Sequence, residues 1–179
     1  MPMDEPPVDP LDPDFCSDLQ GAAIGELRRR RALADEQETG YSYLRRMIQG
    51  RLDIVAEERA RRTGEATDSS GPSSLIERLP SILASGIHAP GRGRLPQLLD
   101  PGEVDSSVDL RLDEIVSTAE LTDLPSVDDA RLDGMLSALA DLEREVSATR
   151  RALQDVVDAI AAEIVRRYRV GDVPLDGLP

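Results

Sequence analysis

Two stretches of this chain carry the same polar residues at the same spacing, and they lie 105 residues apart. Both follow the pattern E-x3-S-x2-R-x3-Q-x3-D, and Arg46 and Arg151 next to the central arginine also correspond. The first copy consists of Glu38, Ser42, Arg45, Gln49 and Asp53, and the second of Glu143, Ser147, Arg150, Gln154 and Asp158. One such pattern is usually a solvated helix face. Two copies that agree in residue type at every position indicate a shared binding role.

The spacing of the pattern is that of an α-helix. At about 100° per residue, its polar side chains lie within an arc of roughly 80°. Apolar residues lie on one side of that arc, between about 40° and 120° from the first glutamate. In the first copy these apolar residues are Tyr41, Leu44, Ile48, Leu52 and Val55. Each copy therefore lies on a helix with an apolar seam and a polar stripe along one shoulder, and two such helices can pack as an antiparallel pair related by a pseudo-twofold axis.

The composition favours a pair of helices over a thick globular core. The chain of 179 residues has one Phe, three Tyr and no Trp, whereas large aromatic residues normally supply much of a core's buried area. We predict an all-α fold, an antiparallel two-helix coiled-coil hairpin with a long, partly helical connector and a disordered N-terminus. The predicted segments are an acidic tail over 1–17, a first helix over 18–62, a connector over 63–125, a second helix over 126–170 and a C-terminal tail over 171–179.

The charge of the chain bears on which partners it can bind. A net charge of −14 argues against general affinity for a nucleic-acid backbone. All 21 basic residues are Arg, the side chain suited to planar stacking and to two-pronged recognition of phosphate or guanine.

The cysteine content and the lack of targeting segments bear on the compartment. Cys16 is the single cysteine, and we find neither a secretory signal nor an apolar run that could span a bilayer. We therefore expect a cytoplasmic protein.

The residue groupings that catalysis and metal binding need are missing from the sequence. The one His, His88, lies in a Gly/Pro-rich loop. No nucleophile–base pair, Cys/His metal spacing or phosphate loop accompanies it. We therefore expect neither an enzyme nor a metal site. Arg, Asp, Glu, Ser and Gln together suit a guanine nucleotide, because Arg can bind the O6/N7 edge of guanine or a phosphate and a carboxylate can accept the N1 and N2 hydrogens. The residues alone specify an anion, with a purine nucleotide as one candidate.

The doubled motif, with YSYLRRMIQGRLDIVAEE around its first copy, resembles the RsiG family of anti-sigma factors. In that family, two copies bind a dimer of cyclic di-GMP across an antiparallel coiled coil. The resemblance covers roughly residues 20–62 and 126–168. It implies an anti-sigma factor that uses cyclic di-GMP to hold the sporulation sigma factor WhiG away from RNA polymerase. From the net charge and the lack of a long apolar run, we expect no direct contact with DNA, RNA or a membrane.

The resemblance also implies that all the motif residues contact the ligand. Within that set, we expect Arg45 and Arg150 to stack on guanine or pair with phosphate. We expect the edges of guanine to be hydrogen-bonded by the carboxylates of Asp53, Asp158, Glu38 and Glu143. We expect phosphate or ribose to be bound by Ser42, Ser147, Gln49 and Gln154. Two alternatives compete with this interpretation: a structural coiled-coil adaptor without a nucleotide ligand, and a hairpin that binds nucleic acid, which the overall charge disfavours.

Overall fold

The computed structural model of the chain describes residues 9–64 and 105–171. Its helices are α1 over Ile24–Thr63, α2 over Ser106–Ile115, α3 over Thr118–Thr122 and α4 over Asp129–Val170. Short 3-10 helices over Pro13–Cys16 and Leu124–Ser126 precede α1 and α4. Within these two described ranges there is no β-strand. The predicted all-α class is confirmed.

The two long helices, α1 and α4, pack against each other and run in opposite directions. Close to one end of the pair, Arg59 on α1 donates a hydrogen bond to Asp133 on α4 with an N–O distance of 2.7 Å. Close to the other end, Arg28 near the start of α1 donates to the hydroxyl of Tyr168 near the end of α4. The structure is therefore the predicted antiparallel helical hairpin.

The seam between the long helices is built from residues at every seventh position. They are Leu27, Ala34, Tyr41, Ile48 and Val55 on α1, and Leu132, Leu139, Val146, Leu153 and Ile160 on α4. All of them except Tyr41 are at most 1% exposed. A seven-residue repeat of buried aliphatic side chains is the pattern of a coiled coil. Tyr41 is half-buried against the core, and its hydroxyl donates to the carboxylate of Asp105 (2.9 Å).

Helix α2 packs on the side of the hairpin that faces away from the polar stripes. Its residues Val108 and Leu112 join the hydrophobic core of the long helices. Arg51 on α1, which is 8% exposed, donates to the carbonyl oxygens of Leu112 (3.1 Å) and Val116 (2.7 Å). Because Arg51 lies about 160° around α1 from Gln49, the stripe that contains Gln49 stays uncovered by α2.

The chain before α1 differs from the predicted tail. The sequence placed residues up to 17 in a disordered segment and a helix start at Ser17 or Asp18, whereas α1 begins at Ile24. Pro13–Cys16 forms a 3-10 helix, and Phe15 packs against Leu27 and Ile160 at 5% exposure. Burying the one Phe offsets the cost of ordering this short segment.

Both long helices are followed directly by a glycine. Gly64 and Gly171 follow them with φ of 75° and 77°, a left-handed backbone that glycine adopts without steric cost. The predictions for residues 1–8, 65–104 and 172–179 lie outside the described residues. Among the helices of the described ranges, none is both long and apolar enough to cross a membrane.

Candidate functional site

The two polar stripes lie on the same face of the hairpin and touch each other across it. We call Glu38, Ser42, Arg45, Gln49 and Asp53 the first stripe, and Glu143, Ser147, Arg150, Gln154 and Asp158 the second stripe. Arg45 of the first stripe pairs with Glu143 of the second at 3.0 Å, and Arg150 of the second pairs with Glu38 of the first, also at 3.0 Å. The two ion pairs are equivalent under exchange of the helices, as a pseudo-twofold axis requires.

A serine supports the glutamate of each stripe. The hydroxyl of Ser42 donates to Glu38 (2.9 Å), and the hydroxyl of Ser147 donates to Glu143 (2.8 Å). Burial by itself raises the pKa of Glu143, but hydrogen bonds from Ser147 and Arg45 outweigh that effect and lower it. Glu143 is therefore held as an anion, and each glutamate lies at the centre of the face between a serine and an arginine.

The two halves of the face are not identical in detail. On one side, Arg45 Nε donates to both Glu143 and Ser147 at 3.0 Å, and Gln49 also donates to Glu143 (3.3 Å). On the other side, Arg150 bonds to Gln154 (3.2 Å), and its buried Nε has no acceptor in the described part of the chain. A buried N–H donor without an acceptor is unfavourable, so this half of the face can gain a bond from an added acceptor.

The aspartate of each stripe has no bonding partner among the residues that the structure describes. Asp53 is half-buried and Asp158 is exposed, and burial raises the pKa of Asp53. Across residues 9–64 and 105–171, no hydrogen bond or ion pair engages either carboxylate. Each stripe therefore ends in an acceptor that can bind N–H groups of another molecule.

The arrangement suits an elongated polar ligand rather than a metal ion. The ion pairs of Arg45 with Glu143 and of Arg150 with Glu38 lie at the centre of the face, and the carboxylates of Asp53 and Asp158 lie farther toward its ends. No group of three or more metal-ligating side chains occurs among the residues that the structure describes. Arg46 and Arg151, which follow the central arginine of each stripe in sequence, are exposed beside the stripes. Tyr43 is partly exposed on α1.

The structure shows a second repeated element that the sequence prediction had missed. Glu58, Arg61 and Arg62 on α1 recur as Glu163, Arg166 and Arg167 on α4, with the pattern E-x2-R-R and the same offset of 105 residues. We call these groups the first and second clasp. Both glutamates are buried, at 5% and 8% exposure, and each binds the two arginines of its own clasp at 2.6–2.9 Å. Extending the search for the repeat beyond Asp53 and Asp158 would have found them.

Each clasp ties the end of one long helix to the segment that enters the other. Arg62 donates to the carbonyl oxygens of Leu124 (2.8 Å) and Pro125 (3.3 Å), just before α4. In the same way Arg167 donates to Leu19 (2.7 Å), Gln20 (2.9 Å) and Ala22 (2.6 Å), just before α1. Leu19 and Leu124 are themselves 105 residues apart. The pseudo-symmetry therefore extends to both ends of the hairpin.

The clasps predict a loss of stability in acid. Hydrogen bonds from Arg166 and Arg167 lower the pKa of Glu163 to about 2, and the arginines of the first clasp lower the pKa of Glu58. A carboxylate with a lowered folded-state pKa stabilises the fold above its unfolded pKa of 4.5, and this stabilisation is lost as the pH falls toward 2. Thermal melts between pH 7 and pH 2.5 should show a steeper loss for the wild type than for Glu163→Gln. Parallel curves for the two proteins would contradict the prediction.

Comparison with known proteins gives one family. The family model described as RsiG-like matches residues 13–83 and 118–179, about three quarters of the chain. Both stripes and both clasps lie inside the matched ranges, whereas α2 lies outside them. The starts of the two ranges are themselves 105 residues apart, the offset of the internal repeat. No curated protein matches the chain.

Proposed function

The chain belongs to the RsiG-like family, which indicates an anti-sigma factor role, and from this premise we propose that it is a cyclic di-GMP-dependent anti-sigma factor. The two stripes bind cyclic di-GMP as a dimer, and the loaded protein holds a WhiG-type sporulation sigma factor away from RNA polymerase, which delays differentiation. One observation carries the proposal: two equivalent stripes lie side by side on one face. Anti-sigma factors of this family are in general not enzymes.

The chemistry of the face supports a guanine-bearing anion. Arginine can bind the O6/N7 edge of guanine or a phosphate in two-pronged fashion. The free carboxylates of Asp53 and Asp158 are suited to accept the N1 and N2 hydrogens of guanine. The Nε of Arg150, which is buried without an acceptor among the described residues, gains one from a phosphate or a carbonyl oxygen. A twofold ligand also matches the pseudo-twofold relation of the stripes.

Ligand binding exchanges partners at the arginines rather than filling an empty pocket. In the protein alone, Arg45 and Arg150 are paired with glutamates across the helix interface. All four side chains remain partly exposed, and ion pairs of this kind contribute little net stability. A phosphate or guanine edge therefore replaces the glutamates at modest cost, and the ligand itself comes to bridge α1 and α4.

The bridged face is the surface that we propose for the sigma factor. A ligand that touches both helices adds phosphates and bases to a face that otherwise carries only side chains, so a partner can recognise the loaded protein and reject the empty one. Because RNA polymerase acts in the cytoplasm, the proposal places the protein there.

Calorimetry with cyclic di-GMP, with and without the sigma factor, tests the proposal directly. We expect saturable heat with cyclic di-GMP and a stronger signal when the sigma factor is present. Cyclic di-AMP is the matched control, because it has the same ring of phosphates and riboses but lacks the guanine edges. Absence of heat in both mixtures would rule out the proposal, and equal binding of the two nucleotides would rule out guanine recognition.

One observation favours a second candidate, a structural coiled-coil adaptor without a ligand. Arg45 and Arg150 already have partners across the hairpin, so the repeat could serve helix pairing alone. That candidate predicts that a variant lacking both arginines captures its protein partner as well as the wild type does.

A further inference from the structure

The row of seam residues at every seventh position leaves the axial alignment of α1 and α4 undetermined by itself. Its residues recur at every seventh position on both helices, and nearly all are aliphatic. Sliding one helix by seven residues, about 10 Å, again places aliphatic side chains opposite each other along most of the seam. In coiled coils of this kind, register is specified by polar or charged groups rather than by the repeating core. Contacts outside this row must therefore set the stagger of the two stripes.

The clasps have the geometry that such a role requires. Their arginines bind backbone carbonyl oxygens of Leu124 and Pro125 at one end, and of Leu19, Gln20 and Ala22 at the other. These carbonyls belong to the segments that lead directly into α4 and α1, so each bond ties the end of one helix to the start of the other. A slip of seven residues breaks all of them at both ends. The buried glutamates hold the arginines in position.

We propose that Arg62 and Arg167, each fixed by its buried glutamate, are positioning residues that set the register of the two stripes and thereby assemble the ligand face. The proposal deepens the function proposed above and rests on it for the binding measurement. The distances of 3.0 Å between Arg45 and Glu143, and between Arg150 and Glu38, occur only in this register. A ligand that contacts both stripes requires the same alignment. The clasps therefore act on binding from both ends of the hairpin without touching the ligand.

The decisive experiment distinguishes an effect of the clasps on helix register from an effect on the stability of the fold. Replacing a buried ion pair by apolar residues of similar size is often neutral or stabilising, whereas the role best attested for buried charges is to specify register. We would therefore prepare the full chain with Glu58→Met, Arg62→Leu, Glu163→Met and Arg167→Leu together. We expect an unchanged or higher melting temperature, with at least a tenfold weaker affinity for cyclic di-GMP. The matched control is Arg59→Leu with Asp133→Met, which removes an exposed ion pair between the helices outside both clasps and should leave the affinity unchanged.

Register is measured in the same proteins without any ligand. Spin labels at Glu36→Cys on α1 and Ala152→Cys on α4, both exposed, report the distance between the helices in a Cys16→Ser background. We expect one narrow distance in the wild-type chain and a broadened or additional distance, shifted by up to about 10 Å, in the clasp variant. If both proteins give the same narrow distance, the proposal is overturned, even if cyclic di-GMP proves not to be the ligand.

A milder variant covers the case in which the apolar protein fails to fold. Arg62→Lys with Arg167→Lys keeps the charge beside each glutamate but cannot reach several carbonyls at once. We expect a broader distance distribution and weaker ligand binding, which an osmolyte that stabilises the fold does not restore. Full restoration of binding by the osmolyte would show that the clasps act through global stability alone and would overturn the proposal.

Discussion

Replacing both Arg45 and Arg150 by alanine should weaken cyclic di-GMP binding at least a hundredfold while leaving the helix content unchanged. A well-formed two-pronged arginine contact contributes roughly 1–3 kcal/mol, and each 1.4 kcal/mol is about a factor of ten in affinity. The fold tolerates the change because both arginines are partly exposed and their ion pairs across the interface add little stability. Calorimetry and circular dichroism of the same samples measure the two effects.

The chain supplies its own control for this experiment. Arg46 and Arg151 are also repeated at an offset of 105 residues, but they are exposed beside the stripes. The variant that lacks both of them loses the same formal charge and should bind cyclic di-GMP within about threefold of the wild type, because screened surface charges contribute little. If both double variants lose the same affinity, net charge rather than the stripes governs binding.

A double variant that exchanges the charges of Glu38 and Arg150 should keep the melting temperature of the wild type but should bind cyclic di-GMP more weakly. Arg150→Glu alone places a carboxylate against Glu38, where the structure has an ion pair at 3.0 Å, so we expect a lower melting temperature. Adding Glu38→Arg restores opposite charges and should recover the melting temperature. The affinity for cyclic di-GMP should stay at least tenfold below that of the wild type, because a carboxylate now occupies the arginine's position on α4.

The same exchange at Arg59 and Asp133 is the control, since this pair also crosses the interface but lies outside the stripes. Melting curves and calorimetry should show that it changes neither stability nor affinity by much. If the exchange at Glu38 and Arg150 restored binding together with stability, the stripes would serve helix pairing, and the structural adaptor would become the better account.

The sequence predicted those features that depend on the geometry of a single helix. The spacing within each motif placed its polar side chains on one face, and the apolar residues between them, such as Leu44 and Ile48, placed the seam beside them. Each of these properties is local, because the direction of a side chain around a helix follows from residue number alone.

Features that depend on packing between distant segments could not be predicted in this way. Phe15 is buried against Leu27 and Ile160, and α1 begins at Ile24. The sequence predicts an earlier start because Ser17 and Asp18 are good capping residues. The docking of α2 depends on Arg51, whose buried guanidinium binds carbonyls more than 60 residues away. No periodicity in the sequence indicates that contact.

By itself, therefore, the sequence determined that there are two amphipathic helices and which side of each carries the stripe. Only the tertiary structure decided that the stripes meet, with Arg45 opposite Glu143 and Arg150 opposite Glu38. The physical reason is that helical periodicity fixes rotation about each axis, whereas a seven-residue seam permits several positions along it. The position along the axis follows from bonds to the chain segments at both ends, and those segments take their places only when the whole protein has folded.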